Sequence, residues 1–232
     1  NRTSQLLLAR QDQLVIHELS PEEQSDSALL PLQHVSNNIG SMCVLPSGSS
    51  LALGLLTRHG FDIWQQENTN LKLMAHDNLT NTKGDAIAIA ACRHQKAGSL
   101  IAVLSQAQAK TSISLWQWVD KELRFLHTLT CELLHVRLVS LALARNGGYW
   151  LALASSRRAP GQVYRLNENG HYYQNHWFRM FDTGVASLCF DRAEYPDSIV
   201  FGERNGMLWC LDLARVEDDI SDLRWTYQLI NP

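Results

Sequence analysis

An all-β chain of repeated four-stranded antiparallel units is predicted by three observations. A short apolar block recurs at a nearly fixed interval, the segments around each copy alternate with period two, and no stretch carries a helical stripe of useful length. The blocks are Leu51-Ala52-Leu53, Ile101-Ala102-Val103, Leu151-Ala152-Leu153 and Ile199-Val200-Phe201, so their centres lie 50, 50 and 48 residues apart. Gly48, Gly98, Gly148 and Asp197 stand ahead of them as small or turn-forming residues. A period of that size, built from short strands, points to a radial or stacked repeat.

Each unit divides into four strands, a to d in chain order. An apolar strand a precedes each block: Ser41 to Leu45, Ala86 to Cys92, Val139 to Leu143 and Ala186 to Phe190. The block itself is strand b. Strand c is a second apolar peak: Phe61-Asp62-Ile63-Trp64, Ile113-Ser114-Leu115-Trp116, Val163-Tyr164-Arg165-Leu166 and Leu208-Trp209-Cys210-Leu211. Strand d follows at Leu71 to Met74, Leu123 to Leu126, Tyr172 to Phe178 and Leu223 to Leu229. Nearly all are bounded by Gly, Asn, Asp, Ser or Pro, which supply turns. The charged stretch Arg215 to Asp222 is expected to be a loop between strands c and d.

Four-stranded units of this length are blades of a β-propeller. The sequence predicts one propeller over residues 1–232, with blades at about 38–80, 81–131, 132–182 and 183–232 and a partial blade at 1–37. In that partial blade Gln5 to Ala9 matches strand b, Gln13 to His17 strand c and Ala28 to Val35 strand d. Propellers close to hide their edges, so the units form either a five-bladed ring whose first blade is short a strand or part of a larger ring, and the start in mid-blade favours the second.

Composition narrows the function classes. The formal net charge of −3 gives no general attraction to nucleic acid or anionic membrane. No apolar run reaches 18 residues, so direct membrane insertion by a helix is not expected. The five cysteines form no C-x-x-C pair and no zinc spacing. Cys43, Cys92 and Cys189 fall in strands a and are read as small buried hydrophobes, with a disulfide between neighbouring strands as the alternative. There is no P-loop, dinucleotide fingerprint, H-E-x-x-H, EF-hand loop or nucleophile elbow. No cofactor and no catalytic residue is predicted.

Two resemblances follow from the motifs. Thr57-Arg58-His59-Gly60-Phe61-Asp62-Ile63-Trp64 and Glu203-Arg204-Asn205-Gly206-Met207-Leu208-Trp209-Cys210-Leu211-Asp212 resemble the tight b–c hairpin of WD40 repeats, with Asn-Gly as the second turn. The Gly-His opening and Trp-Asp dipeptide of that family are missing. Gly148-Tyr149-Trp150-Leu151-Ala152-Leu153-Ala154-Ser155-Ser156 followed by Gly161-Gln162-Val163-Tyr164-Arg165-Leu166 resembles the EAR (EPTP) repeats of the leucine-rich glioma-inactivated type, as does Leu100 to Thr130. That resemblance covers 86–182 and implies a seven-bladed, secreted or cell-surface propeller that binds a protein ligand or receptor. The WD40-like resemblance implies an intracellular scaffold subunit of a multiprotein complex.

The expected activity is therefore non-catalytic protein binding. Candidate partner contacts are the adjacent cations Arg157 and Arg158 in a b–c loop, which suit an acidic patch, and the aromatics Trp150, Trp177 and Tyr172, a type enriched at interfaces. Trp64, Trp116 and Trp209, at the repeat position, are expected between blades. His76, His127 and His176 recur at matching positions, but on different blades, too far apart to share a metal ion. Asn78-Leu79-Thr80 is an N-glycosylation sequon in a predicted loop, making Asn78 the candidate modification site.

Overall fold

The computed structural model describes residues 4–10, 13–19, 27–31, 39–46, 51–57, 60–67, 70–82, 84–108, 110–131, 133–180, 183–214 and 226–228; side chains are described from residue 39 onward except at 70, 175, 177–180 and 226–228. The stretch 215–222, expected to be a loop, lies outside the described residues.

The strands assemble into five separate antiparallel sheets in strict chain order. The first has three strands, β1 (Ser4–Arg10), β2 (Gln13–Leu19) and β3 (Ser27–Pro31). The second holds β4 (Ser41–Leu45), β5 (Ala52–Thr57), β6 (Gly60–Glu67) and β7 (Asn70–Asp77). The third holds β8 (Asp85–Arg93), β9 (Ser99–Ala107), β10 (Lys110–Val119) and β11 (Glu122–Cys131). The fourth holds β12 (Val136–Leu143), β13 (Tyr149–Ser155), β14 (Pro160–Leu166) and β15 (Tyr172–Met180). The fifth holds β16 (Val185–Phe190), β17 (Ser198–Glu203), β18 (Leu208–Asp212) and β19 (Thr226–Gln228). The four-stranded sheets are called blades A to D below.

The first strands β4, β8, β12 and β16 touch one another in succession, so they line the middle and the fourth strands lie outermost. Burial follows from this placement. The second strand is covered on both faces by neighbouring blades: every residue of β13 is buried, as are the first seven of β9. That is why these strands read as unbroken apolar runs instead of alternating ones. The outer strand β11 is covered on one side only and mixes buried with exposed residues.

The core is a series of layers between blades. Leu45, Ala52, Phe61 and Ile63 of blade A meet Ile89, Ile101, Val103, Trp116 and Trp118 of blade B. Ala102, Leu104, Ile113 and Leu115 of blade B meet Leu141, Tyr149, Leu151, Leu153 and Tyr164 of blade C. Trp150, Ala152, Ala154 and Val163 of blade C meet Ile199, Phe201, Trp209 and Leu211 of blade D. The block centres Ala52, Ala102 and Ala152 are fully buried in these layers. A methyl group there lets the next sheet approach closely, which accounts for alanine at the repeat centre.

Two further features repeat. Gly98 and Gly148 both have left-handed φ, +74° and +68°. A Cβ there would stand 1.9 Å from the Trp118 carbonyl oxygen and 2.1 Å from that of Leu166. Only glycine permits both the turn and the close approach. Each first strand of blades B, C and D also carries a bulge at its second or third residue, where Ile87, Arg137 and Ala186 lack a pairing partner on the second strand.

The cysteines correct one expectation. All five are free thiols. Cys92 and Cys131 are buried and Cys43 partly so, but Cys189 and Cys210 are exposed. Strand β16 packs beside blade C among the described residues, and Cys189 is exposed there instead of being the buried hydrophobe that its apolar run predicts.

Candidate functional site

In an antiparallel blade the a–b and c–d turns gather at one end, and the b–c and d–a connections at the other. The two ends differ in how their charges are partnered.

At the a–b/c–d end, each exposed arginine meets a carboxylate, whereas Lys96 and Lys121 are exposed without an ion pair among the described residues. Arg93 pairs with Glu194 at 3.6 Å, Arg192 with Asp197 at 2.9 Å and Lys72 with Glu67 at 3.4 Å, while Arg145 pairs with Asp197 and Arg124 with Glu122. Exposed pairs add little stability; their effect here is to cancel charge. A cleft of about 660 Å³ opens at this end between blades A and B, lined by Val44, Pro46, Arg93, Trp118, Lys121 and Glu194 among others.

At the b–c/d–a end, Arg137, Arg157, Arg158 and Arg204 are exposed, and none forms an ion pair among the described residues. Backbone contacts tie their loops together. The Ser155 hydroxyl donates to the His135 carbonyl at 3.0 Å and accepts from the Arg157 amide at 3.1 Å. Gly184, at φ +80°, lies against this loop so closely that a Cβ would be 2.4 Å from the Ser156 carbonyl oxygen. The Gly184 carbonyl in turn accepts from the Arg204 amide at 3.2 Å. Arg137 is the bulged residue of β12, and a bulge re-aims the side chain it carries. Leu134, 52% exposed, stands between strands β11 and β12 at the same end.

Blade A contributes a polar network here. His76 Nδ1 lies 2.6 Å from Asp62 Oδ1, and its Nε2 lies 2.6 Å from Asn78 Oδ1. The Asp62 hydrogen bond, reinforced by Asn78 and by nearby acidic charge, holds the His76 pKa above its ordinary value. A cleft of about 480 Å³ lies beside this network, lined by Thr57, Gly60, Asn78, Leu79, Thr82 and Asp85 among others.

Behind the Arg204 turn, Glu203 is buried and accepts from Trp209 Nε1 at 2.8 Å and from the Thr183 amide at 3.4 Å. The turn is the tight hairpin predicted from Asn205-Gly206: Gly206 has φ +87°, and the Glu203 amide donates to the Met207 carbonyl at 2.8 Å.

The predicted contact residues do not converge. Arg157 and Arg158 lie exposed at the b–c/d–a end. Tyr172 is 54% exposed but begins β15, at the opposite end, with its ring edge-on to Tyr164 at 5.9 Å. Trp150 is removed from any surface role: it is 2% exposed, inside the layer between blades C and D, with the Arg165 guanidinium 4.8 Å from its ring centre. Its β13 position, covered on both faces, decides this. The side chain of Trp177 lies outside the described residues. Asn78 is exposed, with its carbonyl oxygen engaged by His76. Arg137 and Arg204 were not singled out by the sequence; a strand bulge has no local sequence signal, and Arg204 was visible only as part of a hairpin motif.

No protein-family model and no curated protein matches the sequence. Solved structures do match. A functionally unknown protein from Desulfotomaculum acetoxidans gives a TM-score of 0.62 at 9% identity, covering 96% of this chain and 64% of that one. Sqt1 from Saccharomyces cerevisiae gives 0.52 at 11% identity over 76% of this chain and 45% of its own. Sqt1 from Chaetomium thermophilum gives 0.52 at 14% identity over 87% and 54%. The chain thus spans about half to two-thirds of the length of these structures. They support the WD40-like resemblance, whereas the EAR resemblance and the secreted glycoprotein it implies find no support among them. Sheet order, layered core and structural neighbours together establish a β-propeller fold.

Proposed function

We propose that this chain is a non-catalytic protein-interaction propeller, an intracellular scaffold subunit of a multiprotein complex, and that it meets its protein partner through the b–c/d–a face. On this reading residues 1–232 form one propeller segment, with blades at about 38–80, 81–131, 132–182 and 183–232 after a partial unit.

The observation that carries the reading is the uneven treatment of charge. One end of the blades pairs its exposed arginines Arg93, Arg124, Arg145 and Arg192 with carboxylates, leaving only lysines such as Lys121 unpaired among the described residues. The other presents Arg137, Arg157, Arg158 and Arg204 without ion pairs among the described residues. Unneutralised arginines on a rigid scaffold suit recognition, because their cost of ordering is met by a partner and not by the fold. The segments joining them are held by the Ser155 hydroxyl, bonded to the His135 and Arg157 backbones, and by the Arg204 amide on the Gly184 carbonyl, so the surface is preformed.

The test is crosslinking of the protein in its native cells, followed by mapping of the crosslinked peptides. Protein crosslinks concentrated on segments 133–137, 155–159, 183–185 and 203–207 are expected. Crosslinks concentrated on the a–b/c–d loops would assign the binding face to the other end.

A further inference from the structure

We infer that the b–c/d–a face takes an acidic, extended segment of its protein partner, with an aliphatic side chain of that segment seated against Leu134. The inference rests on the reading of this face as the protein-binding one, and it names the chemistry of the partner.

Four arguments support it. First, Arg137, Arg157, Arg158 and Arg204 are exposed guanidinium groups without ion pairs among the described residues. A guanidinium offers a planar fork matched to carboxylate, and such charge-assisted pairs are strong and directional. Second, the positions form a continuous path. It runs from β12 through Ser155 and Arg157 to Gly184, and on to the Arg204 turn of the next blade, each step a hydrogen bond or a close backbone contact. A path across two blades is followed by a chain segment; a single small anion would meet one or two of these groups. Third, the concentration of cations is local, since the whole chain carries −3. Fourth, among the described side chains the apolar content of this end favours an acidic peptide over a nucleic acid. Leu134 is exposed here, whereas the described exposed rings of Tyr172, Tyr173, Phe125 and Tyr195 lie at the a–b/c–d end or along the outer strands; Trp177 and Phe178 reach this end by register, with side chains outside the described ones. Nucleic acid held without sequence readout uses aromatic rings as stacking platforms.

The test uses the purified chain and three fluorescent probes of matched length: a peptide of alternating Glu and Leu, its Lys/Leu counterpart, and a single-stranded oligonucleotide. Anisotropy at low and at moderate salt reads the affinity. The Glu/Leu peptide is expected to bind, to weaken with salt, and to outbind the other two. The double variant R157E/R158E, and separately R137E with R204E, should each weaken it about tenfold or more, because reversal adds repulsion to the lost attraction. Lys121→Glu, at the opposite end, should leave it within about twofold. Circular dichroism confirms that each variant is folded.

Tighter binding of the oligonucleotide overturns the inference in favour of a nucleic acid. Equal loss with Lys121→Glu overturns it as non-specific charge attraction. A partner crosslinked to segments 133–137, 155–159, 183–185 and 203–207 through a neutral or basic segment overturns the acidic segment while leaving the protein-binding face standing. Crosslinks on the opposite face overturn both.

Discussion

The imidazole rings of His127 and His171 stack across the boundary between blades B and C, with centroids 4.1 Å apart and planes 17° from parallel. His127 Nε2 also lies 3.1 Å from the Gly170 carbonyl oxygen, to which a proton there is donated. Burial, and then the neighbouring imidazole, push the His127 pKa below its ordinary value, against the opposing pull of the Gly170 carbonyl. The folded joint therefore resists a proton that the unfolded chain accepts near the usual histidine value of about 6.5. This contribution to stability is fully present above that pH and is lost as pH falls below it. His127→Phe keeps a ring in the stack and removes the titration. The Tm of the variant should decline less between about pH 7.5 and pH 5.5 than that of the native chain; parallel declines would show that His127 does not couple to stability in this range.

Glu203 accepts from the indole N–H of Trp209 at 2.8 Å. Glu203→Ala would remove this acceptor from the buried indole and from the Thr183 amide. A loss of about 1–3 kcal/mol in urea unfolding is expected from the desolvated donor alone. Among the described residues the indole nitrogens of Trp64 and Trp116 are buried without a hydrogen-bond partner, so Trp209 differs from its repeat equivalents in having a carboxylate to lose. An unchanged midpoint would mean that the carboxylate is replaced by water without cost.

Two glycines with left-handed φ separate strain from collision. Gly148→Ala puts a methyl group about 2.1 Å from the Leu166 carbonyl oxygen, while Gly206→Ala meets nothing within 4 Å. The second substitution should cost only the conformational penalty, about 1–2 kcal/mol. The first should cost clearly more, because strand β14 must move. Chemical denaturation of the two variants side by side reads the difference, and equal costs would show that the b–c pairing yields easily.

The block centre Ala152 is fully buried between blades C and D. Ala152→Leu inserts three carbons where the sheets touch and should cost about 1–3 kcal/mol, through displaced neighbours and not lost contacts. Thermal unfolding reads the cost. A stabilised variant would reveal an unfilled space in that layer.

Thiol reactivity should divide the cysteines. Burial pushes the Cys43 thiol up to about 12 and raises Cys92 further, whereas Cys189 and Cys210 are exposed. Burial and the charge of Asp191 also raise Cys189, though it stays open to solvent. Alkylation of the native chain at neutral pH should label Cys210 and Cys189 first, and Cys43 and Cys92 only after unfolding. Peptide mapping of the labelled sites would overturn this placement if Cys92 reacted early.

The strand pattern, the repeat and the positions of the hairpin turns were legible along the chain because each is a local matter. Period-two alternation, an apolar triplet and a glycine or Asn-Gly turn act within a few residues of one another. Gly98 and Gly148 stood out before the triplets, and both prove to be left-handed and pressed against a strand carbonyl. What covers a strand is not local. Trp150 and Tyr172 read alike in sequence as aromatics near strand ends, yet the neighbouring blade encloses the first, and the open outer edge leaves the second exposed. Cys92 and Cys189 read alike as apolar strand cysteines and differ for the same reason. The partnering of charge belongs to the same class: Arg93 finds Glu194 about a hundred residues away in sequence, while Arg157 and Arg204, in equivalent turns of adjacent blades, find no carboxylate among the described residues. Local hydrogen bonding and side-chain alternation thus determined the blades from sequence alone. Packing between blades, which sums contacts far apart in the chain, decided which residues are core and which face a partner.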